Sequence, residues 1–267
     1  MFRLKALCAV ALALLPSWLK LPLYRRLYGY RIGRGVRIGL SPFIGVRQCT
    51  IGDGVRIGSF NAFVHVEELH IGAHTRIGFL NLIRGGKRVG LGPYVTILRQ
   101  NVFNAIVDGD FLEVVDSTLE LGAGVAVSSG HWLDFSDRIV VGAHSIIGGR
   151  NSSFWTHNRQ RTRTIIVGAH CYLGSEIRVA PGVEVPPLCI VALGSVLAGR
   201  LEPARSLIGG NPAVVLRPLK ERDLYLVCRK TRTDLPDELA RADLPEDLGQ
   251  LAAGTPPNEA AEGAEAI

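Results

Sequence analysis

An aliphatic residue recurs every six positions along most of the chain, and a glycine often follows it. The series is most regular near its end, at Val167, Leu173, Val179, Val185, Val191 and Leu197. A period of six fits neither a helix nor a long alternating strand, but it fits a short strand followed by a tight corner. Three such units close a triangular coil of roughly 18 residues. The pattern therefore predicts an all-β fold, a parallel β-helix over residues 31–217 with about ten coils.

Two segments interrupt the repeat. Between Val95 and Leu121 the apolar residues still alternate, which predicts an irregular coil. This segment also carries several polar residues: Asn101, Asn104, Asp108, Asp110 and Asp116. Residues 152–164 are polar, with two aromatic residues and three arginines. Insertions in a solenoid become loops on one face, often the binding face, so chemistry is expected at this second interruption.

The two ends of the chain differ from the repeat. Residues 1–30 predict a helical segment, in which the apolar run Ala6–Leu15 is shorter than the ~20 residues that cross a bilayer. This segment fits a cap on the open end of the β-helix, an amphipathic helix in a membrane interface, or a signal peptide. Residues 218–267 predict one helix over Pro218–Cys228, and from Leu235 a disordered acidic tail.

Charge is distributed unevenly along the chain, whose formal net charge is +6. The first 52 residues hold nine Lys/Arg and no acid, whereas residues 234–267 carry a net charge of −8. A cationic end suits anionic lipid, a phosphorylated substrate or nucleic acid, and we expect no nucleic-acid partner. Five cysteines without a CxxC pair argue against a disulfide framework and a zinc ribbon, and favour a reducing compartment.

Several motifs resemble one family. The hexads, the ending Gly209–Arg217, and the stretch from Gly130 to His157 with its Thr-His loop are similar to left-handed β-helix acyltransferases of the hexapeptide-repeat type. The central stretch resembles the branch that O-acetylates polysaccharides and O-antigens. The resemblance covers residues 31–217 and implies the left hand of the coil, an acetyl-CoA donor and a homotrimer with active sites between subunits.

His157 is the histidine that we expect to carry chemistry. It lies in the polar insertion, outside the hexad register, where the family has its catalytic histidine. Imidazole has a pKa near 6.5 and can remove a proton from an attacking hydroxyl near neutral pH. Three other histidines share one Gly-Ala-His corner position and are expected to be scaffold: His74, His144 and His170. His65 and His70 lack the third ligand that a catalytic zinc site needs, so no metal is expected.

Four further residues are candidates for the acceptor site. Asp134 would orient an imidazole or bind a substrate hydroxyl. His131 belongs to the same Gly-His-x-x-Asp motif, for which a structural role at a corner is the alternative. Asn151 would hydrogen-bond to a sugar and Trp155 would stack on its ring, unless the tryptophan serves only to pack the loop.

The resemblance also assigns a coenzyme A side. The backbone amide of Ser175 matches the group that faces the thioester oxygen, and Leu193 and Gly194 match a later contact to the pantetheine arm. Ala198–Gly199 replaces the usual Thr-Lys, and Val214 stands where a basic residue is common. Phosphate contact is therefore expected from Arg200 and Arg217, with Arg178 as a further candidate.

Together these observations predict an acetyl-CoA-dependent O-acyltransferase. Its acceptor would be a sugar hydroxyl of a surface polysaccharide or a glycolipid precursor. The alternatives are an N-acetyltransferase acting on an amino-sugar nucleotide and a non-catalytic β-helix scaffold. We expect a cytoplasmic protein with peripheral contact to the inner face of an anionic membrane.

Overall fold

The computed structural model describes residues 2–106 and 115–249, and the side chains from residue 6 onward. Asp108, Asp110 and the tail beyond Gly249 lie outside these described residues. The described chain winds repeatedly through three sheets, and neighbouring strands within each sheet are parallel apart from the last pair. The predicted fold class, a parallel β-helix with helical segments at both ends, is confirmed.

The strands fall into three sheets. The first sheet contains β1 (Arg31–Ile32), β4 (Gln48–Ile51), β7 (Glu68–Ile71), β10 (Arg88–Leu91), β13 (Thr118–Leu121), β16 (Ile139–Val141), β19 (Ile165–Val167) and β22 (Glu184–Val185). The second sheet contains β2 (Arg37–Ile38), β5 (Arg56–Ile57), β8 (Arg76–Phe79), β11 (Thr96–Arg99), β14 (Ala126–Ser129), β17 (Ile146–Arg150), β20 (Tyr172–Leu173), β23 (Ile190–Val191), β25 (Ser206–Gly210) and β26 (Ala213–Pro218). The third sheet contains β3 (Phe43–Ile44), β6 (Ala62–Val64), β9 (Leu82–Arg84), β12 (Val102–Asn104), β15 (Trp132–Asp134), β18 (Ser153–Trp155), β21 (Arg178–Val179) and β24 (Val196–Leu197).

The β-helix of the described residues has eight complete coils rather than the ten that an 18-residue period predicts. Among the described strands, steps of 18 positions occur only in the coil that begins with β19, where Val167 pairs with Val185, Leu173 with Val191 and Val179 with Leu197. Strands β4, β7, β10 and β13 are four residues long and turn two side chains inward, so their coils are longer. The segment between Val95 and Leu121 is regular through β12, and its extra residues follow that strand.

The core is one continuous column of inward side chains, most of them fully buried. The glycine after the aliphatic residue stands at a corner of the coil: Gly52 lies where the first sheet turns into the second, and Gly58 lies where the second turns into the third. A Cβ on Gly52 would lie 2.6 Å from the backbone nitrogen of Ala73 on the next coil, and a Cβ on Gly58 would collide with the carbonyl oxygen of Gly78. The aliphatic-glycine repeat therefore reflects close backbone stacking at these two corners.

A buried polar column runs along the edge where the second sheet turns into the third, the second–third edge. Asn81 donates its side-chain N–H to Asn61 Oδ1 (2.9 Å), and Asn101 donates to Asn81 Oδ1 (3.0 Å). The backbone N–H of His131 then donates to Asn101 Oδ1 (2.9 Å). The side-chain amides hydrogen-bond to one another and to the neighbouring backbone, so their burial leaves few hydrogen-bonding groups unpaired.

Two helices, α1 (Phe2–Ala13) and α2 (Ser17–Tyr28), cover the N-terminal end of the β-helix. Tyr24 is buried against the first coil and packs on Phe43. Lys20 is fully buried, and its ammonium group donates to the carbonyls of Ala13 and Gly39, both at 2.7 Å. Helices α1 and α2 thus form the cap on the β-helix that was one of the predicted alternatives. No helix of residues 2–106 and 115–249 is long and apolar enough to cross a membrane.

The C-terminal residues fold back along the edge between the first and second sheets. After α3 (Glu221–Cys228), the segment continues through α4 (Asp237–Arg241) and a 3₁₀ turn (Glu246–Leu248). The prediction of disorder from Leu235 is thus wrong for residues 235–249. Leu235, Ala240 and Leu248 are buried, so few apolar residues suffice to order a segment that the composition alone marks as solvated.

Candidate active site

The polar insertion divides into a strand and a loop. Residues Ser153–Trp155 form β18 of the third sheet, and the chain then leaves the sheet in a small hairpin in which His157 pairs with Thr162. Asn158 Oδ1 shapes the tip by accepting hydrogen bonds from the backbone of Gln160 (2.8 Å) and Arg161 (2.9 Å). This loop stands at the edge where the third sheet turns into the first, the third–first edge.

His157 and Asp134 form the central pair of the loop. Nδ1 of His157 lies 3.0 Å from Asp134 Oδ1, and the side chains are 22% and 2% exposed, respectively. Asp134 Oδ1 also accepts the backbone N–H of Ser136 (3.1 Å), which fixes the carboxylate. An ionised carboxylate only accepts hydrogen bonds, so Nδ1 carries the hydrogen and the lone pair of the neutral ring is on Nε2.

Thr156 anchors the loop to the preceding coil. Its buried hydroxyl donates to the carbonyl of Asp134 (2.9 Å) and accepts from the backbone N–H of Asp137 (2.9 Å). Sequence reasoning did not assign this residue a role. Its position directly before His157 was the available signal, because a threonine hydroxyl readily hydrogen-bonds to nearby backbone groups.

Two tryptophans form an exposed aromatic surface beside His157. The rings of Trp132 and Trp155 stack with centroids 5.9 Å apart and planes at 23°. Their exposed fractions are 39% and 41%, and Trp155 meets the His157 ring edge-on at 6.5 Å. Trp132 was missed from the sequence, because only the coil register places it across from the loop.

His131 is placed in the buried polar column, not on the outer surface. Its Nδ1 accepts the backbone N–H of Ser152 (3.2 Å), and the residue is 1% exposed. Burial lowers its pKa to about 4, which keeps the ring neutral near pH 7. This placement matches the structural alternative weighed for His131 and offers no side-chain atom to an acceptor outside the coil.

Three of the predicted residues for the thioester and pantetheine arm lie together on the second–third edge. Ser175 stacks between neighbouring coils, since its carbonyl accepts from Gly194 N–H (2.9 Å). Leu193, beside it, is 77% exposed. Within the described part of the chain, none of the hydrogen bonds uses the Ser175 N–H. Asn151, a candidate for the acceptor, lies on this same edge with a φ of 60°, away from His157.

The basic candidates are spread over different places. Arg200 forms ion pairs with Glu202 (2.7 Å) and Glu184 (3.5 Å) near the third–first edge. Arg217, on β26, pairs with Asp223 at 2.6 Å. Burial raises the pKa of Asp223, but hydrogen bonds from Arg217 and Lys220 outweigh it and hold that pKa below its ordinary value. These pairs occupy the guanidinium groups expected to bind phosphates.

Arg178 is committed to the backbone of the second–third edge. Its guanidinium donates to the carbonyls of Asn151 and Ile177. The predicted groups therefore do not converge within one chain. His157 and Ser175 flank opposite ends of the third sheet, separated by strands of three residues, which span about 10 Å.

Comparison with known proteins gives limited sequence matches, and no family model matches the chain. One relative, named provisionally as the colanic acid biosynthesis acetyltransferase WcaF of Escherichia coli, is 33% identical over 92 residues. That match covers 32% of this chain and about half the length of the relative. The bifunctional protein GlmU of Acidithiobacillus ferrooxidans is 24% identical over 181 residues, which are 68% of this chain and 34% of GlmU.

Solved structures give weaker similarity. The polysialic acid O-acetyltransferase OatWY superposes with a TM-score of 0.37 at 16% identity, covering 72% of this chain and 90% of that protein. A hexapeptide-repeat acetyltransferase of Vibrio cholerae, solved with acetyl coenzyme A, gives a TM-score of 0.25 at 18% identity over 82% and 89% of the two chains. The chain is thus a β-helix protein with a six-residue repeat, and its homologues include proteins named as acetyltransferases.

Proposed function

We propose that the protein transfers an acetyl group from acetyl-CoA to a hydroxyl of a sugar. The observation that carries this proposal is the His157–Asp134 pair, held at 3.0 Å in the polar loop beside an exposed pair of tryptophans. A scaffold protein has no need for a buried carboxylate that orients a partly exposed imidazole. The resemblance in sequence to acetyltransferases supports the same reaction.

The chemistry follows from the orientation of the ring. His157 Nε2 takes the proton of the acceptor hydroxyl as its oxygen attacks the thioester carbonyl, while Asp134 stabilises the imidazolium that forms. Collapse of the tetrahedral intermediate breaks the carbon–sulfur bond. The imidazolium then returns the proton to the CoA sulfur, so neither a metal nor a covalent enzyme intermediate is required.

The donor would lie along the second–third edge. The Ser175 N–H is suited to hold the oxyanion of the intermediate, since none of the hydrogen bonds among the described residues uses this donor. Leu193 and Gly194 would contact the pantetheine arm on the next coil. Arg200 and Arg217 would reach the phosphates only by exchanging their carboxylate partners.

The site would be completed by an adjacent subunit. His157 and Ser175 lie at opposite ends of the third sheet, so one chain cannot bring both to the same thioester. A cyclic homotrimer places the third–first edge of one chain against the second–third edge of the next. Exposed apolar side chains on the latter edge of the early coils, such as Phe60 and Leu80, favour such a contact.

The acceptor would be a glycan or glycolipid precursor. Trp132 and Trp155 expose flat aromatic faces beside the base, and such faces pack against the apolar side of a sugar ring. An amino-sugar nucleotide acceptor would use the same base. We place the reaction on the cytoplasmic side of the membrane, with which the free thiol of the exposed Cys8 is compatible.

Isotopically labelled acetyl-CoA, incubated with glycans and amino-sugar nucleotides, tests the proposal. We expect label in a base-labile ester, and a loss of about 10²–10⁴ in turnover for His157→Ala. An alkali-stable amide would instead identify the N-acetyltransferase. Full activity of His157→Ala would remove this residue from the mechanism, and failure to bind acetyl-CoA in calorimetry would favour a scaffold.

A further inference from the structure

The outer surface of α1 is apolar although it faces away from the protein. Ala9 and Ala13 are buried against the β-helix, whereas Leu7 and Val10 of the helix are 66% and 44% exposed and Leu14, directly after it, is 67% exposed. The helix contains no acidic residue and no charge after Lys5. A helix that is apolar on all sides is normally covered on all sides, so this face is missing a partner.

The apolar surface continues past the break between the helices. Trp18, at the start of α2, is 75% exposed, and Leu27 near its end is 64% exposed. Tryptophan at an aqueous boundary is characteristic of membrane interfaces, where the ring is anchored among the headgroups. We call the surface formed by Leu7, Val10, Leu14 and Trp18 the outer cap face.

The outer cap face is held on a rigid support. The ammonium group of Lys20 joins the C-terminal carbonyl of α1, at Ala13, to Gly39 of the first coil. Ser17 Oγ donates to the carbonyl of Ile38 (2.8 Å) and accepts from its N–H (2.9 Å). The inner side therefore closes the β-helix while the outer side remains available, so the cap and membrane interpretations describe different faces of one element.

Positive charge surrounds this face. No acid occurs before Asp53. Arginines are exposed both on α2, at Arg25 and Arg26, and on the first coil, at Arg31, Arg34 and Arg37. Basic residues near an anionic bilayer contribute about 1 kcal/mol each, in addition to apolar insertion. Two copies of the chain that met through this face would instead bring like charges together, which disfavours a dimer.

We propose that the outer cap face docks on the surface of an anionic lipid bilayer. Leu7, Val10, Leu14 and Trp18 enter the boundary between headgroups and acyl chains, and the arginines of α2 and the first coil contact lipid phosphates. The docking does not depend on the acetyl-transfer proposal. In this orientation the third sheet and the loop that carries His157 remain exposed to an acceptor.

Co-sedimentation of the full chain with vesicles tests the docking, without acetyl-CoA present. We expect binding to phosphatidylcholine vesicles that contain phosphatidylglycerol, weakening as salt rises, and much weaker binding to phosphatidylcholine alone. The double variant Leu14→Glu/Trp18→Glu should bind at least about tenfold more weakly. The control variant Leu226→Glu replaces an apolar residue that is 40% exposed on α3, after the last strand of the β-helix. This variant should bind vesicles like the parent chain.

Three outcomes would overturn the proposal. One is equal or absent binding of the parent chain to both vesicle types at low salt. Another is unchanged binding by the double variant, with its fold verified by circular dichroism. The third is a cap-dependent dimer in light scattering, lost in the double variant, which would assign the face to a second copy. Because activity on a soluble acceptor is measured separately, failure of docking and failure of acetyl transfer are distinguishable.

Discussion

At the scale of single residues, Asp134 and His157 depend on a contact between positions 23 residues apart. Asp134 ends β15 and pairs in register with Trp155, so the loop that follows Trp155 brings the imidazole over the carboxylate. The carboxylate accepts from both Nδ1 of the ring and the backbone of Ser136. In the proposed reaction Asp134 would thus be a positioning residue, which acts by setting the tautomer of His157.

Asp134→Asn tests this positioning role. The amide can donate to Nδ1 and stabilise the tautomer whose hydrogen is on Nε2, where a base cannot accept a proton. We expect kcat to fall about 10²-fold or more, while KM for acetyl-CoA stays nearly constant. Steady-state kinetics measure both parameters. A parallel rise in KM, or loss of helical-cap and sheet signals in circular dichroism, would indicate a structural defect instead.

His131 makes stability depend on pH. Burial lowers its pKa from 6.5 to about 4, so the unfolded chain binds a proton more readily than the folded chain. The stabilising contribution is complete above pH 6.5 and is lost as the pH falls towards 4. The two pKa values correspond to about 3 kcal/mol at the acid limit.

His131→Asn should therefore resist acid better than the parent chain. Asparagine already occupies the same column at Asn61, Asn81 and Asn101, and it does not titrate. We expect similar stability at pH 8 and a smaller decrease between pH 6.5 and 4, measured by urea unfolding at each pH. An identical pH dependence in both proteins would exclude His131 as its source and would point to the buried His144 and His170, whose pKa values burial also lowers.

At the scale of elements, the C-terminal segment depends on Arg232. Its guanidinium donates to the carbonyls of His74 (2.8 Å) and Tyr94 (3.2 Å), pairs with Asp234 (2.7 Å) and lies over the Tyr94 ring at 5.4 Å. Its side chain is only 7% exposed. Thr231 adds a bond to the Gly124 carbonyl (2.6 Å). A few polar contacts to the backbone of successive coils hold the segment along the edge.

Arg232→Ala should destabilise the protein by about 2–4 kcal/mol, because it removes charged hydrogen bonds and leaves partly buried carbonyls unsatisfied. Arg47→Ala is the matched control. The pair Arg47–Glu67 is long (3.6 Å) and both side chains are more than half exposed, so we expect less than about 0.5 kcal/mol. Chemical denaturation measures both. Equal effects would show that the segment is not held by Arg232.

At the scale of the whole molecule, the separation of His157 from Ser175 predicts shared active sites. A mixture of His157→Ala and Ser175→Pro chains tests it, since proline removes the N–H proposed to bind the oxyanion. Each mixed trimer contains one interface with both groups intact, so refolding equal amounts together should restore about one quarter of the parent activity.

Each variant alone should be inactive, and light scattering should give a trimer for both. No recovery on mixing, with mixed trimers verified by mass spectrometry, would place both groups at one site within a chain. A fully active monomer at micromolar concentration would contradict the trimer itself.

Much of the fold follows from the local pattern of apolar residues in the sequence. A six-residue period determines the coil, because one inward aliphatic residue and one corner recur in each face, and the close backbone approach at Gly52 explains the glycine beside it. His157 was a candidate from the sequence because it interrupts that register in a polar segment. The number of coils could not be predicted correctly, since the four-residue strands of the first sheet have a second inward side chain that lengthens the coil beyond three hexads.

Only the tertiary structure decided which residues meet across neighbouring coils, because these residues are far apart in the sequence. The register of β15 with β18 brings Asp134 close to His157 and Trp132 beside Trp155. His131 is buried in the polar column and is therefore not part of the outer surface. Trp18 is exposed although its helix packs on the first coil. The repeat sets the side chains of one coil, but stacking of coils 18 to 30 residues apart sets which of them meet, and that separation carries no local signal.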